Sequence, residues 1–76
     1  MGLEELRQRA LLSRKELAER VGVSRQTLSL WELGKNTPRM EHIRKLIEAL
    51  GIDAQTLFAA LEEGKRGEKE LAAIAS

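Results

Sequence analysis

The residues best equipped for chemistry lie in one short run, Ser24-Arg25-Gln26-Thr27-Leu28-Ser29-Leu30. Arginine can lay two parallel donors on guanine O6 and N7, and glutamine can fork onto adenine N6 and N7. Leu30 offers an apolar surface to a thymine methyl. Each good bidentate pair is worth about 1–3 kcal/mol of discrimination between bases. Such reading requires a helix whose first turns meet the base edges. Leu28 and Trp31, three residues apart, mark the inward side of that helix. Arg25, Gln26, Ser29 and Leu30 are then left facing outward. The alternative is that Arg25 and Gln26 are solvated helix residues and nothing more.

The flanking sequence must hold this run in place. Leu17, Ala18 and Val21 share one face of the preceding segment, and Gly22 follows at once. Ala18 is small where two crossing helices come closest. Gly22 sits where a left-handed conformation is cheap only without a Cβ. A glycine-bearing turn of three or four residues between two helices is helix-turn-helix geometry. Ser13 and Glu16 read as a capping box that opens the second helix. Ser24 caps the third, which ends near Glu32 with Gly34 as its stop. A first helix is expected over residues 3–10, with Leu3, Leu6 and Ala10 inward. Thr37-Pro38 reads as an N-cap followed by proline at the first helical position. The fourth helix then carries Met40, Ile43, Leu46, Ile47 and Leu50 on one face and closes at Gly51. Asp53 caps a fifth helix to about Glu63, with Leu57, Phe58 and Leu61 apolar. β-branched and aromatic residues are sparse, so the fold class is all-α with no strand. Residues 1–63 form the folded domain, and residues 64–76 a tail or short helical extension that is a candidate dimer contact.

The chain resembles the helix-turn-helix of phage repressor and Cro-like regulators over roughly residues 3–58. The matching pieces are Leu6-Arg7, LSRKELAERVGVS at 12–24, W-E-x-G at 31–34, P-x-x-x-x-I-x-x-L at 38–46, and the closing L-G-I-D and L-F. The resemblance implies a compact five-helix domain of the lambda-repressor-like type. It implies double-stranded DNA as partner, with Arg25, Gln26, Ser29 and Leu30 as base readers. It also implies phosphate contacts from the first turn of the second helix, Arg14 and Lys15, and from Lys35, Asn36 and Arg39 beyond the third. Ser24 and Thr27 can cap the third helix and touch phosphate as well. Many relatives carry glutamine at the position of Arg14, where it can brace the recognition helix; the arginine here keeps the phosphate role and leaves the bracing role open. An ion pair between Arg7 and Glu32, tying the first helix to the end of the third, is implied too. Leu11 departs from the pattern, which often has glycine there.

Composition narrows the alternatives. At 76 residues the chain is one domain near the lower size limit for independent folding. It has no cysteine and one histidine, so neither a thiolate metal site nor a disulfide is expected. His42 has no His, Cys or Asp cluster near it in sequence and reads as a solvated surface residue. Trp31 reads as core rather than as a base-stacking platform. With no paired carboxylates in a cleft and no glycine-rich phosphate loop, no enzyme, metal or cofactor is expected. No apolar run exceeds five residues, as at 57–61, which is far short of a membrane span. The acidic opening with Glu4 and Glu5 lacks the plan of a signal peptide, so a cytoplasmic protein is expected.

Net charge is only +1, yet it is unevenly spread. Residues 1–40 hold eight Lys/Arg and five Asp/Glu, whereas residues 41–76 hold five and seven. The positive half coincides with the reading unit, an arrangement that orients a domain on a polyanion. The expected function is a sequence-specific regulator that binds DNA as a homodimer on a pseudo-palindrome. Control would come from dimerisation, concentration or a regulatory protein such as a toxin or antirepressor. The candidate dimer surface is the fifth helix and tail, through Leu57, Leu61, Leu71 and Ile74; the alternative for Leu57, and for Phe58, is that they simply close the core. The alternative is a protein-interaction module of the same fold, antitoxin-like or adaptor, favoured by near-neutral charge and by Leu30 and Leu33.

Overall fold

The computed structural model describes the backbone of residues 2–75 and the side chains of residues 2–64. Five helices follow in order: α1 (Leu3–Arg9), α2 (Arg14–Val21), α3 (Arg25–Glu32), α4 (Met40–Leu50) and α5 (Ala54–Ala75). There is no strand among the described residues. The protein has the all-α, lambda-repressor-like architecture.

Local chemistry sets most of the boundaries. Ser13 Oγ accepts from the Glu16 N–H at 3.0 Å, and Glu16 Oε1 accepts from the Ser13 N–H at 3.1 Å. This reciprocal pair satisfies two donors that the first turn of α2 would otherwise leave free. α2 stops at Gly22, whose φ of +84° lies in the left-handed region. Ser24 Oγ caps α3 through the Thr27 N–H at 3.1 Å. Asp53 Oδ1 accepts from the Thr56 N–H at 2.7 Å and opens α5.

α2 crosses α3 and α4, while α5 lies against α1, α3 and α4. Leu17, Val21, Leu28, Leu46 and Leu57 are fully buried at the centre, with Ala18 and Trp31 beside them. Burying one such leucine or valine contributes about 1.5–3 kcal/mol.

Four expectations are corrected. α1 ends at Arg9 rather than Ala10, and Leu11 itself adopts the left-handed conformation with φ 60°. α4 does not open at Thr37-Pro38. Its N-cap is Arg39, in extended conformation and without a side-chain cap, and Pro38 is buried in the segment before it. The proline is therefore buried two residues ahead of α4 instead of starting it. Met40 points out at 59 % exposure, since the helix phase that buries Ile43 and Leu46 carries the first turn away from the core.

α5 does not stop at Glu63 but continues past Gly64 to Ala75. Gly64 lies within the helix rather than stopping it. A Cβ there would sit 3.4 Å from the Glu32 carbonyl oxygen and 3.6 Å from the Gly34 nitrogen. These are ordinary van der Waals distances, so a methyl at this position would pack against the end of α3 without pushing α5 away.

Candidate nucleic-acid interface

α3 presents two faces of opposite character. Leu28 and Trp31 are buried, and Arg25 and Gln26 on the other side are exposed. Ser29, Leu30 and Thr27 are intermediate. Ser24 Oγ and Thr27 Oγ1 lie 3.0 Å apart, so the N-cap hydroxyl is shared between the backbone and a neighbouring side chain.

An open depression flanks each side of this outer surface. The first lies between α3 and the start of α2 and is lined by Ser13, Arg14, Lys15, Arg25, Gln26 and Ser29. Glu4 and Arg7 line it as well, so four cations and one acid border a hollow beside the N-terminal turn of α2. The second depression is lined by Thr27, Trp31, Asn36, Thr37, Arg39 and His42, together with Pro38. Lys35 is exposed in the turn between α3 and α4, where its N–H donates to the Leu30 carbonyl at 2.9 Å. The residues singled out for base and phosphate contact thus fall on α3 and its two flanks.

The C-terminal end of α3 is tied down by charge. Arg7 Nε donates to Glu32 Oε1 at 2.8 Å, and its Nη1 donates to the Leu12 carbonyl at 2.9 Å. Arg14 Nε donates to the other oxygen, Oε2, at 3.0 Å. The Glu32 side chain is only 3 % exposed, so the carboxylate is held by two guanidinium groups with little help from water. Leaving such a buried charge without its partner costs about 3–5 kcal/mol. Glu4 Oε1 completes the cluster at 3.8 Å from Arg7 Nη2 and 3.7 Å from Arg14 Nη2.

Arg14 therefore braces α3 through Glu32, which decides the role that the sequence left open. Sequence reasoning had no signal for this, because residues 14 and 32 are brought together only by the crossing of α2 and α3. Glu4 was missed as well, although its i,i+3 spacing from Arg7 was available.

His42 is not a solvated surface residue. Its ring centroid lies 5.4 Å from that of Trp31, tilted by 42°, and Glu41 Oε1 is 3.9 Å from its Nε2. It covers the tryptophan at the edge of the second depression. Among the described residues no group of three metal-ligating side chains converges, and no helix is long and apolar enough to cross a membrane.

The expected dimer surface also needs correction at Leu61, which is buried in the domain's own core and not free to meet a second copy. Leu57 is buried too, in keeping with its alternative reading as core. Phe58 does not close the core: among the described residues it is the large apolar side chain that α5 leaves out, at 45 % exposure. The side chains of Leu71 and Ile74 lie outside the described residues.

A family model described as helix-turn-helix matches residues 3–57. A relative described as an uncharacterized helix-turn-helix-type transcriptional regulator, from Methanothermobacter thermautotrophicus, is 35 % identical over 65 residues. That match covers 84 % of this chain and 94 % of the relative. The chain belongs to the helix-turn-helix family, of the Cro and phage-repressor type. This is a class of DNA-binding regulator.

Proposed function

We propose that this protein is a sequence-specific transcription regulator that reads double-stranded DNA by seating α3 in the major groove. One observation carries the reading: Arg25 and Gln26 are exposed on the first turn of a helix whose opposite side, Leu28 and Trp31, is locked in the core. Ser29 and Leu30 extend that reading surface by one turn. Arg14, Lys15, Ser24 and Thr27 on one part of the rim, and Lys35, Asn36 and Arg39 on another, contact phosphate. Phosphate contacts set the register, and the contacts of α3 supply the preference.

The protein acts in the cytoplasm as a homodimer, with two copies of α3 about 34 Å apart in successive major grooves. It carries out no reaction of its own. Regulation comes from occupancy and from dimer concentration or a bound regulatory protein.

Selection of random duplexes by the purified protein tests the reading. A symmetric enriched site is expected. Lys35→Ala should weaken all sequences alike and reduce the salt slope by about one unit. Enrichment of nothing above background would refute it.

A second reading is favoured by Leu33, 56 % exposed just after α3, and by the bare Phe58. In that reading the fold docks a protein instead of DNA. Such an apolar contact would hold its strength as salt rises, whereas a phosphate-bound duplex would be lost steeply.

A further inference from the structure

We propose that Glu4 is a built-in competitor for phosphate at Arg14, and so sets how tightly the protein holds DNA. The inference rests on the DNA-binding reading above and adds the regulation of that surface. It begins with the two edges of the Arg14 guanidinium, which are held very differently. Nε donates to Glu32 Oε2 at 3.0 Å, and that carboxylate is almost fully buried. Nη2 instead faces Glu4 Oε1 at 3.7 Å, beyond hydrogen-bond length, and both side chains are about half exposed, at 49 % and 54 %.

The consequence is a cation anchored along one edge and contested along the other. Glu32 fixes the side chain through Nε and leaves Nη2 without a short partner, on a residue that lines the depression shared with Lys15, Arg25 and Gln26. An arriving phosphate can take that nitrogen by displacing only a long and wet ion pair of the cluster. Glu4 is the sole acid among the residues lining that depression. Its charge therefore opposes a polyanion at the point where the surrounding charges attract one. Charge-assisted bonds from a fork of guanidinium donors to phosphate oxygens are stronger than an exposed pair at this separation. Phosphate then wins the exchange, but with a reduced gain.

The test uses Glu4→Gln, with Glu5→Gln as the control that removes the same charge from the adjacent position on α1. Both are made in the native chain and in an Arg14→Gln background. Two probes are used, a selected duplex and immobilised heparin, with thermal melts to establish that each variant is folded.

Glu4→Gln is expected to tighten binding to both probes by roughly threefold to fivefold at low salt, the upper part of the range that an exposed ion pair spans. The gain should shrink as salt rises. Glu5→Gln should give clearly less, and the Glu4→Gln gain should disappear when Arg14 is absent. Equal effects from Glu4→Gln and Glu5→Gln would overturn the proposal, since net charge alone would account for them. A Glu4→Gln gain that persists without Arg14 would overturn it as well, and so would no gain on either probe. Failure of the native protein to bind any duplex, with the Arg14-dependent gain intact on heparin, would sink the DNA reading and leave the competition standing.

Discussion

The two ends of α3 are built on opposite principles. Its C-terminal end is fastened: Trp31 is buried under His42, and Glu32 is gripped by Arg7 and Arg14. Its N-terminal end is held by a single cap, Ser24 on the Thr27 N–H, and its Arg25 and Gln26 side chains reach into solvent. A reading helix needs both conditions at once. Fastening one end fixes the direction of the axis, and leaving the other end uncommitted keeps its donors available for a base. The lesson is that affinity for a partner can be spread along a single eight-residue helix by separating what orients it from what touches.

The largest effects should come from loosening the fastened end. Trp31→Ala should cost about 3–5 kcal/mol, as is usual for a buried aromatic reduced to a methyl. In a domain this small that is enough to abolish a cooperative thermal melt at room temperature and above. Arg7→Ala should cost about 3 kcal/mol, the lower end for a broken buried pair, because Arg14 still faces Glu32. Arg14→Ala, removing the half-exposed partner of the same carboxylate, should cost less than about 1 kcal/mol. Chemical denaturation of the three variants checks the order. Equal losses from Arg7→Ala and Arg14→Ala would show that the two arginines share the burden and that the fastening is not as lopsided as drawn.

The open end should respond in the reverse manner. Arg25→Ala should leave stability within about 0.5 kcal/mol of the native protein. It should nevertheless remove about 1–3 kcal/mol of preference at one base position. Competition binding against single-base variants of the selected site reads that loss. A stability loss comparable to that of Arg7→Ala would mean the N-terminal end is structural after all.

A smaller gain is expected away from both ends. Leu11 holds φ 60° at 89 % exposure, so it bears left-handed strain and buries almost nothing. Leu11→Gly should raise stability by about 0.5–1 kcal/mol, the strain relieved less the added freedom of the unfolded chain. A raised melting temperature with unchanged DNA binding would confirm that this corner is separate from the reading unit.

The smallest effect is in acid. Hydrogen bonds from the Ser13 backbone first, then from its hydroxyl, hold Glu16 below the ordinary 4.5. The Thr56 side chain, followed by its backbone N–H, holds Asp53 below the ordinary 3.8. Both carboxyls are weaker bases in the folded chain than in the unfolded one. Their contribution is therefore complete above about pH 4.5 and fades as pH falls through the lowered folded values. Glu16→Gln retains a capping partner without the titration. It should lose less of its melting temperature between about pH 6 and about pH 3 than the native chain does. An identical loss would remove Glu16 from the account.

The legible and illegible parts of this molecule divide by sequence distance. The caps at Ser13, Ser24 and Asp53 and the corner at Gly22 follow from residues within four positions of one another, and each stands where the pattern puts it. The burial of Leu28 and Trp31 follows from their spacing alone. What escaped the sequence was decided by other parts of the chain. Pro38 has the right residues around it to start a helix, yet it is buried ahead of α4 instead. Arg14 meets Glu32 only because α2 crosses α3. Leu57 and Leu61 look equally able to line a dimer or a core, and the answer lies in α1 and α4. The position of Leu11 was legible as unusual but not as strained, since the sequence does not carry a φ angle.

Gly64 leads to one last consequence. A Cβ placed there would meet the Glu32 carbonyl oxygen at 3.4 Å and the Gly34 nitrogen at 3.6 Å, so a gap about one methyl wide separates α5 from the chain leaving α3. Glycine inside a helix gives up about 1 kcal/mol of helix preference relative to alanine. The long helix is thus held less firmly by its own backbone at the point where it passes Glu32, and an alanine would both stiffen it and fill the gap.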